Sequence, residues 1–149
     1  MNQKLIIIAN DHAATEMKKD ICKYFDQKQI KYENLGTDSN ESVDYPDYAF
    51  KLCQEVLAKN AIGILICGTG FGMTIAANKV KGIRAVNVYK PETAALGVEH
   101  NNANVLCLSA RFNDLDTNIQ IINNFLNATF NGDRHLKRIN KIGEYEKNR

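Results

Sequence analysis

Nowhere does the sequence sustain the roughly 18 consecutive apolar residues that a membrane-spanning helix requires. Its apolar start, Leu5-Ile6-Ile7-Ile8, is too short for the core of a signal peptide and runs directly into polar residues. Net charge is scarce as well. Nineteen Lys and Arg stand against seventeen Asp and Glu, and a formal charge of +2 gives no ground for a nucleic-acid or membrane partner. The four cysteines, Cys22, Cys53, Cys67 and Cys107, include no C-x-x-C pair. That spacing supports neither a zinc site nor a disulfide framework, and it points to a reduced, cytoplasmic setting. No two of the three histidines lie three or four residues apart, so a metal centre is not expected. There is no internal repeat and no low-complexity tract.

What remains is an ordinary globular composition, 44% apolar and 24% charged, in a chain whose 149 residues fit one domain, 1–149, around one core. Strand-like and helix-like segments alternate. Residues 4–9 form a continuous apolar run, as expected of a strand covered on both faces. Residues 14–29 carry Met17, Ile21 and Phe25 at helical spacing. A weaker strand at 31–35 is followed by a loop at 37–46 and a helix at 47–59. The second clear strand, 62–66, precedes a helix at 73–79. A strand at 84–88, a helix at 91–100, a strand at 105–108 and a helix at 114–127 follow. A last helix, 134–147, has Ile139, Ile142 and Tyr145 as an apolar side with little chain left to cover it. The alternation predicts a three-layer α/β/α sandwich around a five-stranded parallel, Rossmann-like sheet, with a C-terminal helix. Such sheets bind ligands beyond the carboxyl ends of their strands, which singles out residues 10–12, 67–72, 89–91 and 109–111.

Cys67-Gly68-Thr69-Gly70-Phe71-Gly72 stands where a strand meets a helix N-terminus. Its glycines let the backbone turn sharply and gather N–H groups into an anion-binding concavity. It is not a P-loop, because Met73-Thr74 follow in place of Lys-Ser/Thr. Nor is it a dinucleotide fingerprint, since it reads G-x-G-x-G and follows the third strand. A cysteine phosphatase of the C-x5-R type needs arginine at 73, where methionine stands. The remaining arrangement is a thiol at the mouth of an anion hole, where the amides favour its thiolate as nucleophile or base. The plainer reading is a small buried residue ending a strand, and Cys22, Cys53 and Cys107 are read that way. His12 follows the first strand, His100 ends a helix, and His135 lies in a basic cluster. Arg134 and Arg138, four apart, share a helix face on which two guanidinium forks can hold a phosphate, with Arg111 in a position to join them. The plainer alternative there is a solvated basic face.

Asp11-His12, Asp44-Tyr45-Pro46, the block 67–79, Gly82-Ile83-Arg84-Ala85, His100-Asn101-Asn102-Ala103-Asn104-Val105 and Arg134-His135-x-x-Arg138 together resemble the ribose-5-phosphate isomerase B family. The galactose-6-phosphate isomerase subunits are relatives of the same fold. The resemblance runs through nearly the whole chain and implies a cofactor-free enzyme acting on a phosphorylated sugar. It also implies a homodimer or dimer of dimers with active sites at the subunit interface. It casts Cys67 as the base moving a proton between C2 and C1, with His100 opening the furanose ring. Thr69 and Asp11 would handle hydroxyl protons, and Tyr45 would line the pocket. The amides of Gly68, Gly70, Phe71 and Gly72, with Asn101, would hold the enediolate oxygen. His12, Arg111, Arg134 and Arg138 would hold the phosphate.

The chain departs from the family at Ala14 and Asp133, where glycine is common. Asp133 would weaken anion binding or fix Arg134. Some galactose-6-phosphate isomerase subunits lack the cysteine or the histidine, and this chain has both. The expected reaction is ribose 5-phosphate to ribulose 5-phosphate. A six-carbon phosphate substrate such as allose or galactose 6-phosphate, and a non-catalytic phosphosugar-binding subunit, remain the alternatives.

Overall fold

The computed structural model describes residues 4–149; residues 1–3 of the expected single domain lie outside the described residues. The first strand, β1 (Ile6–Asn10), is followed by a short 3-10 turn (His12–Ala14) and helix α1 (Thr15–Gln27). Then come β2 (Tyr32–Asn34), α2 (Tyr45–Lys59), β3 (Ile62–Cys67), α3 (Phe71–Ala77), β4 (Ala85–Asn87), α4 (Pro91–Asn101), β5 (Val105–Ser109), α5 (Leu115–Leu126) and α6 (Arg134–Lys147). The five strands form one sheet in the order β2-β1-β3-β5-β4, and every pairing is parallel.

The apolar runs are explained by the two cores that they serve. Successive side chains of a strand point to opposite faces. Ile6 and Ile8 of β1, Ile62, Ile64 and Ile66 of β3, and Leu106 and Leu108 of β5 enter one core, with Ile21 and Phe25 of α1 and Ile121, Ile122 and Phe125 of α5. Ile7, Ala9, Leu65, Cys67, Val105 and Cys107 enter the other, with Leu52, Cys53 and Val56 of α2 and Met73 of α3. Each fully buried Leu, Ile or Phe in these layers contributes about 1.5–3 kcal/mol. Burial pushes the thiols of Cys53 and Cys107 up to about 12, so both are inert packing groups.

Two boundaries differ from the sequence expectation in ways that matter for the site. Helix α2 begins at Tyr45, inside the segment read as a loop, because Pro46 occupies its first turn, where no N–H is missed and φ is preset. Helix α3 begins at Phe71 because Gly70, at φ +87°, completes the turn from the strand in one residue. Both shifts bring a side chain at a helix start towards the carboxyl end of the sheet. The chain leaves β1 towards β2 on one side and continues from β3 towards β5 and β4 on the other. The crevice between β1 and β3 is therefore the switch point at which such sheets take ligands.

Candidate active site

The parallel ladder sets three site residues side by side. Asn10 pairs with Ile66 and Cys67 with Ser109. Just beyond these pairs the Asp11 N–H donates to the Ile66 carbonyl at 3.2 Å and the Ala110 N–H to the Cys67 carbonyl at 3.0 Å. The Arg111 N–H reaches the Gly68 carbonyl at 3.0 Å. Asp11, Cys67 and Arg111 thus leave neighbouring strands at the same level.

The glycine loop is held at each residue by a close approach. A Cβ at Gly70 would stand 2.5 Å from the Asn87 amide, and one at Gly72 would stand 2.6 Å from the Tyr45 ring. At Gly68 it would meet the Arg111 guanidinium at 3.2 Å. These glycines are required so that Tyr45 and Arg111 can lie directly over the loop. The loop's carbonyls are pinned by hydroxyls: Ser109 Oγ donates to Gly68 at 2.7 Å, Tyr89 Oη to Thr69 at 2.5 Å, and Thr74 Oγ1 to Gly70 at 2.7 Å. The Cys67 side chain is buried, and its Sγ accepts the Gly70 N–H at 3.1 Å. The bond fixes the sulfur against the start of the glycine turn. Thr69 Oγ1 accepts the Phe71 N–H at 3.0 Å, which fixes its rotamer at the start of α3. Phe71 itself is exposed and stacks on Tyr89.

Asp11 accepts the Ala13 N–H at 3.0 Å, and burial raises its carboxyl from the ordinary value. The Ala13 bond and the charges of His12 and Arg111 oppose that rise. A carboxyl shifted upward in this way exchanges protons more readily near neutrality. The Val43 N–H donates to Nδ1 of His12 at 3.1 Å, which places the proton of the neutral ring on Nε2. Nε2 is then a donor for an anionic ligand.

The other sequence-predicted residues are elsewhere in the chain. Helix α4 starts beyond the carboxyl end of β4 and runs back to Asn101, which is followed by the left-handed Asn102 and then by the amino end of β5. His100 and Asn101 therefore lie a sheet's height, about 15 Å, from the Cys67 level. Arg134 and Arg138 are with them, because α6 packs on α4: the rings of His100 and His135 stack at 4.4 Å, and the Asn131 N–H donates to the Glu99 carbonyl at 3.0 Å. Arg111 does not join the two α6 arginines within one chain, contrary to the expectation from sequence, because β5 separates them. A cleft of about 390 Å³, lined by Asn101, Arg84, Ile142 and Tyr145 among others, opens beside this second group. Among the described residues Asp133 neither caps α6 nor pairs with Arg134, so it does not fix that arginine. One chain thus holds the sequence-predicted residues in two groups, one at each end of the sheet.

The sequence singles out the segments of Tyr89 and Ser109 and the basic cluster of His135 but assigns none of the three a role. Tyr89 and Ser109 fall in the strand-end segments 89–91 and 109–111, the only sequence signal they give.

The sequence of residues 6–142 matches the ribose/galactose isomerase family. A probable ribose-5-phosphate isomerase B of Mycoplasma pneumoniae is 49% identical over 144 residues, covering 95% of each chain. The chain belongs to the ribose/galactose isomerase family. Solved members of this isomerase family superpose closely. Ribose-5-phosphate isomerase B from Clostridium thermocellum has a TM-score of 0.94 at 42% identity, with 97% of this chain and 98% of that one covered. The Mycoplasma genitalium enzyme, solved with bound ribulose-5-phosphate, has a TM-score of 0.93 at 46% identity, with 99% of both covered. Among the described residues no helix is long and apolar enough to cross a membrane, and no three His, Cys, Asp or Glu side chains gather as a metal site.

Proposed function

We propose that the chain interconverts D-ribose 5-phosphate and D-ribulose 5-phosphate, with Cys67 as the base. The single observation that carries this reading is the Gly70 N–H bond to Cys67 Sγ in a buried turn at the mouth of the switch-point crevice. Family membership and the relatives' names support the sugar-phosphate substrate. His100 assists opening of the furanose: the C1 hydroxyl loses its proton, the C1–O4 bond breaks, and O4 takes up a proton. The Cys67 thiolate then removes the C2 proton of the open aldose. The electron pair moves into a C1–C2 double bond, and an enediolate forms at the loop amides and Asn101. Cys67 returns the proton to C1, while O2 gives up and O1 gains the charge-balancing protons through Asp11 and Thr69. Tyr45 closes over the sugar. His12, Arg111, Arg134 and Arg138 hold the phosphate, which supplies orientation.

The half-sites at opposite ends of the sheet favour a homodimer in which each crevice is completed by the partner's His100, Asn101, Arg134 and Arg138. A positioned base contributes about 10²–10⁴-fold, so Cys67→Ala is expected to lower kcat by at least about 10²-fold with the fold intact by circular dichroism. Conversion of ribose 5-phosphate at the wild-type rate by that variant would remove Cys67 from the mechanism.

A further inference from the structure

His135 has no part in the reaction above, yet it is the buried member of the basic cluster on α6, with Arg134, Leu136, Lys137 and Arg138 all exposed around it. Its ring lies parallel to that of His100, with centroids 4.4 Å apart and planes inclined by 13°. The His135 N–H donates to the Gly132 carbonyl at 3.0 Å, which ties the residue to the turn that starts α6. His100 ends α4, where the backbone turns left-handed at Asn102, and no side-chain hydrogen bond restrains its ring among the described residues. A histidine with two free side-chain torsions would otherwise sample several rotamers.

Burial lowers the affinity of His135 for a proton, and the charges of His100, Arg134 and Arg138 add to this, with Asp133 opposing. A flat ring held at this distance restrains both torsions of its neighbour.

We propose that His135 is a positioning residue for ring opening: its buried imidazole stacks on His100 and fixes the plane in which His100 meets the sugar's ring oxygen. The proposal rests on the role of His100 given above.

The chemistry of the two substrates supplies a test. Ribose 5-phosphate closes a furanose through O4 and must be opened. In ribulose 5-phosphate the O5 that would close a furanose carries the phosphate, so this sugar is already open. Exchange of its C1 proton with deuterated solvent reports on proton transfer without ring opening. A misplaced catalytic group costs up to about 10²-fold, so His135→Ala is expected to lower kcat on ribose 5-phosphate by roughly tenfold or more. C1 exchange in ribulose 5-phosphate should stay within about twofold, since that step does not use the stack. His135→Phe keeps a flat ring and should restore most of the lost turnover. Equal loss in both assays, no loss in either, or a phenylalanine variant as impaired as the alanine one would overturn the proposal. If the alanine variant fails to fold, the phenylalanine variant decides alone. Turnover near wild type then supports the platform, and a large loss removes it. A wild-type protein inert towards both sugars would overturn the underlying reading of His100 as well, a result distinct from any variant effect.

Discussion

At the scale of single residues, Asp133 is one place where this chain carries visible strain. Its backbone stands at φ +50°, ψ −129°, a conformation that suits glycine and strains an L side chain. Its side chain makes no capping bond to compensate. Replacement by glycine relieves the strain but loosens the unfolded chain, and the balance favours Asp133→Gly by about 1 kcal/mol. For a domain of this size that is roughly a 2–4 °C rise in melting temperature. An unchanged or lower melting temperature would show that Asp133 has an unrecognised stabilising contact. Ala14 presents no such case. Its φ is −120°, its side chain is buried in the core beneath α1, and alanine fits there without strain. The sequence reading treats both positions alike, and only backbone angles separate the strained one from the comfortable one.

At the scale of elements, the link between β2 and α2 depends on one buried cation. Lys18 of α1 is 1% exposed. Its ammonium donates to Asn34 Oδ1 at 3.2 Å and to the Thr37 carbonyl at 3.0 Å, and it pairs with Asp38. That pairing, with the Asn34 amide, holds the Asp38 carboxyl below its ordinary value. Thr15 Oγ1 adds a bond to the Ser39 carbonyl, and a few residues further on the segment reaches Val43, Asp44 and Tyr45, which seat His12 and cover Gly72. Lys18→Met keeps the volume and removes three donated bonds. It is expected to destabilise by about 1–3 kcal/mol, because the buried Thr37 carbonyl loses its donor, while Asn34 keeps the Gly36 N–H. Amide hydrogen exchange across residues 35–43 should quicken, and unchanged protection there would show that the segment is held by its own turns.

The helices and strands were legible because periodicity reports burial directly: the unbroken apolar run in β1 reflects a layer on each face, and Met17, Ile21 and Phe25 mark one side of α1. Lys18 was not legible, since a lysine at a helical position normally reads as a solvated charge. The two helix starts at Tyr45 and Phe71 were misjudged by two residues for a related reason. Each depends on a single backbone turn whose angles are set by Pro46 or Gly70 and leave no periodic trace. The turn from β3 into α3 was readable from its alternating glycines, though such a turn alone does not separate an anion site from tight packing. The stack of His100 on His135 was not, because 34 intervening positions and a helix packing separate them.

At the scale of the whole molecule, the proposed function requires two groups of residues a sheet's height apart to act on one sugar. A dimer with twofold symmetry is self-complementary, so docking the carboxyl-end crevice of one subunit on the α4–α6 end of the other completes both crevices at once. The exposed apolar side chains are distributed as such pairing needs. Phe71 at 59% and Phe112 at 63% exposure border the Cys67 end, while Ile142 at 52% and Tyr145 at 71% border the other. Isolated large apolar groups are common on surfaces, but groups flanking each half-site are what a recognition face requires. The arrangement predicts complementation between two inactive proteins. Cys67→Ala retains its arginines, and the double variant Arg134→Ala/Arg138→Ala retains its cysteine. Co-refolded in equal amounts, they should form mixed dimers in which one crevice has an intact cysteine from one chain and intact arginines from the other. For random pairing of a twofold dimer, activity towards ribose 5-phosphate should recover to about a quarter of the wild-type level. If every crevice were instead completed within its own chain, the mixture would stay as inactive as its two components, however well the dimers formed.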